Sequence, residues 1–326
     1  MKILVTGSNG HLGEALIRHL KTTKHEVVGT DILASPITKY VGDLKDATFV
    51  EKCMSGVEAI LHTATLHKPH VVTHSKQSFI DTNISGTLNL LEAANRQNVK
   101  AFVFTSTTST FGDAMQPTQQ KQAVWVTEDL TPIPKNIYGV TKVAAEQLCQ
   151  LFHRNHNLPC LILRTSRFFA EVDDNPKLRN QYEDANIKVN EFTHRRVDIQ
   201  DVVDAHVLAV RKAPIIGFGK YIISATTPFD ELDLVDLQID AVKVLQRKYP
   251  IFEEVYRAQG WNMFPTIGRV YVNQLARTEL GWQPKYDFGY ILNRLHDEKA
   301  YRSPLSELIG AKGYHSESFG EAPYPV

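Results

Sequence analysis

Lys2-Ile-Leu-Val-Thr-Gly-Ser-Asn-Gly-His-Leu-Gly13 opens the chain and decides how the rest is read. Ile3, Leu4 and Val5 form a short apolar run, the pattern of a buried strand. Gly7, Gly10 and Gly13 follow three residues apart, and Leu12, Ala15, Leu16 and Leu20 then recur at helical spacing. Strand, glycine turn and helix are the start of a βαβ unit. Such a turn suits a diphosphate. Glycines let the main chain come close, and the first N–H groups of the helix point at the anion with the positive end of the helix dipole behind them. The spacing G-x-x-G-x-x-G differs by one residue from the common G-x-G-x-x-G, and the competing reading is a glycine-rich turn with no ligand.

The chain has 326 residues, enough for one large domain or one with a smaller lobe. Lys+Arg and Asp+Glu number 36 each and no basic run stands out, which argues against nucleic acid or an anionic membrane as the main partner. Cys53, Cys149 and Cys160 are scattered, as suits reduced thiols in a cytoplasmic protein. The first apolar run is too short for a signal peptide, and no stretch is long enough to span a bilayer.

Glu26-Val-Val-Gly-Thr30 reads as a second strand ending at Asp31. An acidic residue about 20 residues past the glycines is placed for the ribose hydroxyls of a dinucleotide. Its charge, with Ile32 beside it, favours NAD over NADP; the alternative is a surface aspartate capping a turn. Tyr40 to Leu44 reads as a short strand with a turn. Ala59 to His62 reads as a fourth strand, running into the small residues Thr63, Ala64 and Thr65. His62, His67, His70 and His74 follow, but no acidic residue between His62 and Ser78 completes a ligand set. No metal is expected, and loop histidines beside a ligand cleft are the stronger reading.

Residues 75–98 read as one amphipathic helix with Ile80, Ile84, Leu88, Leu91 and Ala94 on its apolar face and Asn83 within it. Ala101 to Thr105 is a fifth strand, leading into Ser106, Thr107, Thr108 and Ser109. This hydroxyl run is either a polar loop with local turn bonds or a set of donors aimed at a substrate oxygen. Asn136 is a cap for a helix to about Asn155, striped by Val140, Ala144, Leu148 and Leu151. Tyr138 and Lys142, four apart, stack on a different side of it. Cys160 to Arg164 is a sixth strand, with Thr165, Ser166 and Arg167 at its exit. Farther on, 171–191 reads as polar and irregular, Val197 to Arg211 as a strand end and helix stopped by Pro214, and Tyr221 to Ser224 as a seventh strand. Leu232 to Arg247 reads as helical, a short helix stopped by Gly281 lies within 270–282, and the tail beyond Tyr301 reads as extended and loosely packed. The expected fold class is α/β, a Rossmann-type doubly wound parallel sheet with a smaller C-terminal substrate lobe. The NAD-binding domain is expected over 1–170, rejoined by 193–225, and the lobe over 171–192 and 226–326.

The order of these pieces resembles the extended short-chain dehydrogenase/reductase family, of the NAD-dependent epimerase/dehydratase type and close to nucleotide-sugar 4-epimerases, over roughly residues 1–225. Gly7, Gly10 and Gly13 stand where that family has its glycine motif, Asp31 its ribose acid, Asp43-Leu44 its adenine bracket, and His62-Thr-Ala64 the segment under the nicotinamide half. The resemblance implies NAD as cofactor, bound by Gly7, Asn9, Gly10, His11, Leu12, Gly13, Asp31, Ile32, Asp43, Leu44, Thr63, Ala64, Thr65, Asn83, Thr105, Ser106, Tyr138, Lys142 and Thr165. It implies Thr107, Tyr138 and Lys142 as catalytic residues, and His67, Thr107, Thr108, Ser166, Arg167 and Arg269 as contacts to a sugar or nucleotide-sugar substrate. Arg195 to His206 resembles a later helix entry, and Glu279-Leu-Gly-Trp-Gln-Pro284 a C-terminal motif. Thr108 and Ser109 stand where the 4,6-dehydratase branch carries Asp-Glu, which argues against dehydration. The strand exit at Arg164 departs from the family's asparagine and Tyr-Gly-Pro turn.

The expected chemistry is hydride transfer. A free tyrosine has a pKa near 10, too high for a base at neutral pH. Lys142 and the cationic nicotinamide are expected to favour the Tyr138 phenolate, and Thr107 to donate to the reacting oxygen. If the ketone turns over and regains hydride on its other face, the protein is a sugar epimerase; if ketone and NADH leave, it is a dehydrogenase. A non-catalytic NAD-binding regulator is the third reading. The two long helices suit a homodimer.

Overall fold

The computed structural model describes residues 1–117 and 122–313. In chain order the elements are β1 (Lys2–Thr6), α1 (His11–Leu20), β2 (Glu26–Asp31), β3 (Tyr40–Val41), α2 (Ala47–Cys53), β4 (Ala59–His62), α3 (Lys76–Phe79), α4 (Gly86–Arg96) and β5 (Ala101–Thr107). There follow β6 (Val124–Val126), α5 (Ile137–His156), β7 (Cys160–Thr165), α6 (Pro176–Gln181), α7 (Asp184–Phe192), α8 (Ile199–Ile216) and β8 (Phe218–Ile223). The remainder carries α9 (Leu234–Ile239), α10 (Ala241–Lys248), α11 (Phe252–Gln259), β9 (Arg269–Tyr271), α12 (Phe288–His296) and α13 (Pro304–Ile309). The chain divides into two units: Met1–Gly112 with Pro132–Thr165 and Val202–Tyr221, and Asp113–Thr131 with Ser166–Asp201 and Ile222–Val326. The second takes in 113–131 and 193–201, which the strand–helix alternation assigns to the first. One reason is β6, which pairs in parallel with β9, Val124 opposite Arg269.

The first unit is built on a sheet of order β3-β2-β1-β4-β5-β7-β8. Pairing is parallel from β3 across to β7. The order reverses between β1 and β4, the switch point at which open α/β sheets take ligands beyond the carboxyl ends of their strands. β4 and β7 are buried along their whole length, as strands covered on both faces must be. Leu4, Ile60, Phe102 and Ile162 of four strands pack with Leu90 and Leu91 of α4 and Cys149 of α5. In the second unit Ile187 and Val189 of α7, Val244 and Leu245 of α10, Phe252 and Val255 of α11, and Phe288 and Ile291 of α12 form a separate core.

Several elements differ from the sequence expectation. The single helix over 75–98 is instead α3, a π turn at Ile80–Ser85, and α4. A π turn adds a residue to the helix and re-aims a side chain, here the buried Asn83. Pro214 does not stop α8. It lies in the last turn, and the stop is Gly217 at φ +78, whose N–H closes on Ala213 O at 2.8 Å. Residues 171–191 are not irregular but hold α6, with Asn175 as its cap and Pro176 in its first turn, and most of α7. The polar face of α7 is buried. Asn190 Oδ1 accepts from Tyr256 Oη at 2.7 Å, and Glu191 is ion-paired to three arginines. Residues 232–247 break at Asp240, which caps α10 through Lys243 N. In the tail, Ser303 is buried on Asp198 and caps α13, while 314–326 lie outside the described residues.

Candidate active site

The turn after β1 is shaped by what it excludes. Gly7 has φ +67, and a Cβ there would meet the Ala64 backbone at 2.8 Å. A Cβ on Gly13 would stand 1.9 Å from Gly7 O, so α1 packs on the turn only with glycine. A Cβ on Gly10 would meet Gly7 O at 3.3 Å, a close contact but far less severe than the one at Gly13. Gly10 is the N-cap of α1 and offers no side-chain acceptor to its first N–H groups, the arrangement that receives an anion. His11 and Leu12 begin the helix and are buried. Asp31 Oδ2 accepts from Asn9 N at 2.9 Å and Oδ1 from Leu33 N at 3.0 Å, which holds the carboxylate beside the turn with Ile32 exposed next to it. Asp43 accepts from Lys45 N, and Leu44 is buried against Gly86. This cradle fits the diphosphate and ribose of NAD.

Beyond β4 the small residues are tied to the scaffold. Thr63 Oγ1 donates to Thr6 O at 2.7 Å, and Ala64 N to Thr6 Oγ1 at 3.2 Å. Thr87 spends its hydroxyl proton on Asn83 O, so it accepts from His62 Nε2, and His62 Nδ1 in turn accepts from Thr6 Oγ1. Burial pulls the His62 pKa down to about 3, so the ring is neutral, as that pattern requires. Asn83 is a clamp and not a cofactor contact: Oδ1 accepts from Thr65 Oγ1 and Leu66 N, and Nδ2 donates to Leu66 O and Thr141 Oγ1. Its hydrogen-bonding capacity is filled from within the unit.

Asn136 caps α5 through Gly139 N at 3.1 Å and starts the helix at the register that buries Tyr138 and Lys142. Lys142 Nζ donates to Thr105 O at 2.6 Å and stands 4.0 Å from the centroid of Phe104. Burial brings its pKa down to about 7, with Glu146 acting against that fall. Burial also pushes the Tyr138 phenol above its ordinary value, and a hydrogen bond with Thr107 is what opposes it. In the protein alone, burial outweighs that hydrogen bond; the expected joint effect of Lys142 and the nicotinamide concerns the NAD complex. Thr107 Oγ1 accepts from Ser109 N at 3.1 Å, which leaves its proton for the phenol. Half-buried His67 packs edge-on to Tyr138, ring centroids 4.9 Å apart, and its pKa falls to about 3, chiefly through burial.

Other expected site residues are tied down as well. Thr105 Oγ1 pairs with His206 Nε2 at 2.8 Å, Ser106 Oγ donates to Glu146 Oε1 at 2.6 Å, and Thr165 Oγ1 donates to Ser106 O at 3.0 Å. Thr108 is buried. In the second unit Ser166 is buried, and Arg167, its side chain about a third exposed, is ion-paired to Asp173 at 2.7 Å and Glu191 at 3.2 Å. Arg269 on β9 lines a cavity of about 360 Å³ with His194, Arg195, Tyr182 and Phe264. His194 and Arg195 escape a sequence reading that sees them only as part of a helix entry. Glu146 and its partner Arg164 also escape the sequence reading; the spacing Tyr138, Lys142, Glu146 is the signal for Glu146, and Arg164 on β7 has none. Among the described residues no three His, Cys, Asp or Glu side chains gather as a metal site, and no helix is long and apolar enough to cross a membrane.

The family model for the NAD dependent epimerase/dehydratase family matches residues 3–219. The chain belongs to that family. This NAD dependent epimerase/dehydratase is therefore an enzyme with NAD as its cofactor. It is 33% identical over 185 residues to an uncharacterized UDP-glucose epimerase of Bacillus subtilis, a match covering 50% of this chain and 55% of that one. It is 24% identical to a UDP-glucose 4-epimerase of Lactobacillus helveticus, covering 88% and 93%. A short-chain dehydrogenase/reductase superfamily protein from Agrobacterium tumefaciens with bound NAD shares the fold at TM-score 0.64 and 22% identity, covering 91% and 95%.

Proposed function

We propose that this enzyme is a nucleotide-sugar epimerase that inverts a secondary alcohol through a keto intermediate. The observation that carries the reading is Tyr138 and Lys142 buried together on α5, with Thr107 at the phenol. NAD, when bound, supplies the hydride acceptor and, in its oxidised form, a positive charge beside the phenol. Asp31 would hold the ribose hydroxyls, and the first turn of α1 after Gly10 the diphosphate. Tyr138 Oη accepts the proton of the substrate hydroxyl and later returns it. Thr107 Oγ1 orients the reacting oxygen, and its hydrogen bond opposes the upward pull of burial on the phenol.

The cavity of the second unit supports an anionic substrate with a ring system. Arg269 suits a phosphate, and Tyr182 and Phe264 suit a base. The UDP-glucose epimerase relatives favour a UDP-sugar. Thr108 and Ser109 carry no carboxylate, which disfavours a dehydratase. Exposed Val140 and Leu151 on α5 favour a homodimer. The test is interconversion of UDP-glucose and UDP-galactose by purified protein carrying its own NAD, followed by NMR. Epimer formation without accumulation of NADH is expected. Stoichiometric NADH release would replace this reading with that of a dehydrogenase.

A further inference from the structure

The buried stripe of α5 does not end at the pair. Tyr138, Lys142 and Glu146 follow at one-turn intervals, and Glu146 is fully buried. Its carboxylate is held from several sides. Oε1 accepts from Ser106 Oγ at 2.6 Å and Arg164 Nε at 3.0 Å, and Oε2 accepts from Arg164 Nη2 at 2.7 Å. Lys220 Nζ on β8 stands 4.0 Å from Oε2. A carboxylate is costly to bury without such a fork, yet buried ion pairs are commonly replaceable by apolar residues with little loss of stability. The position of this one points elsewhere. Ser106, fixed by Glu146, lies between Thr105, whose main-chain oxygen holds Lys142 Nζ, and Thr107, whose hydroxyl meets Tyr138.

We propose that Glu146 and Arg164 are positioning residues for the Tyr138–Lys142 chemistry: they fix β5 behind both groups, and Glu146, one turn along α5, is the counter-charge to Lys142. The inference rests on the roles of Tyr138 and Lys142 proposed above. The other groups facing this point are Arg164 on β7 and Lys220 on β8, both cationic, the Cys149 thiol one turn along α5, and His62 and His67, both neutral. Of these, Glu146 is the group that offsets the effect of burial on Lys142 most strongly.

Glu146→Gln removes the charge at nearly constant shape. Losing an anion favours the deprotonated form of both Lys142 and Tyr138, so both limbs of the pH–rate profile move to lower pH, by about one pH unit. The Cε resonance of Lys142 in carbon-13-labelled lysine titrates at a correspondingly lower pH. Lys220→Met removes a cation from the same cluster and moves limbs and resonance the opposite way; it carries the test if Glu146→Gln does not fold. A slower enzyme with limbs and resonance unmoved in the variants would overturn the inference. A moved resonance in a protein without epimerase turnover would leave it standing and reject the proposed reaction instead.

Discussion

Lys142 Nζ lies 2.6 Å from the main-chain oxygen of Thr105, so the ammonium on α5 is tethered to strand β5. Its pKa near 7 in the folded protein lies below the ordinary 10.5. Between these values the unfolded chain holds a proton that the folded chain has released, so this lysine's contribution to stability rises with pH across that window. The unfolding free energy of the wild type minus that of Lys142→Met should therefore grow from pH 7 to pH 10 and level off below. Chemical denaturation over that range checks it. A pH-independent difference would mean that the lysine keeps its ordinary value.

Asn83 makes hydrogen bonds to Thr65, Leu66 and Thr141 from a buried position in the π turn. Asn83→Ala leaves several buried partners unmet and is expected to cost about 2 kcal/mol or more. The fall in Tm should be the same with and without added NAD. A fall seen only with NAD would make Asn83 a cofactor contact after all.

The two later glycines of the turn should behave differently. Gly13→Ala would drive a methyl to 1.9 Å from Gly7 O, so a large loss of Tm and no retained NAD are expected. Gly10→Ala meets that oxygen at 3.3 Å, a milder contact, so the variant should lose much less Tm than Gly13→Ala while retaining less NAD. Thermal denaturation and the NAD content of the purified variants decide between this and a turn that only packs.

The fold was legible because its signals are local and periodic. Ile3 to Val5, the glycines, Asp31 and the Asn136 cap each follow from spacing and residue type, and the strands β1, β2, β4, β5 and β7 fall within two residues of the sequence reading. What stayed hidden is polar and buried. Asn190 and Glu191 look like a solvated surface until Tyr256 arrives from distant sequence and Arg196 folds back from five residues on. The same holds at the site. Tyr138 and Lys142 were readable from their spacing, but the Thr105 oxygen that holds Lys142 and the Arg164 fork on Glu146 depend on strand neighbours. The carboxylate partners of Arg167, Asp173 and Glu191, were likewise not readable at the strand exit.

Arg269 lies in a cavity with Arg195 and His194. Arg269→Met should weaken binding of UDP about ten- to hundredfold by calorimetry, the worth of a charge-assisted contact to phosphate, while leaving the NAD content unchanged. Unaltered UDP affinity would remove this cavity from the proposed substrate site.

The most direct test follows one hydrogen atom. With UDP-galactose deuterated at C4, the wild type is predicted to yield UDP-glucose that keeps the deuterium at the same carbon, and Tyr138→Phe to do so at least about a hundredfold more slowly. Solvent hydrogen at that carbon, or a Tyr138→Phe variant as fast as the wild type, would contradict the account.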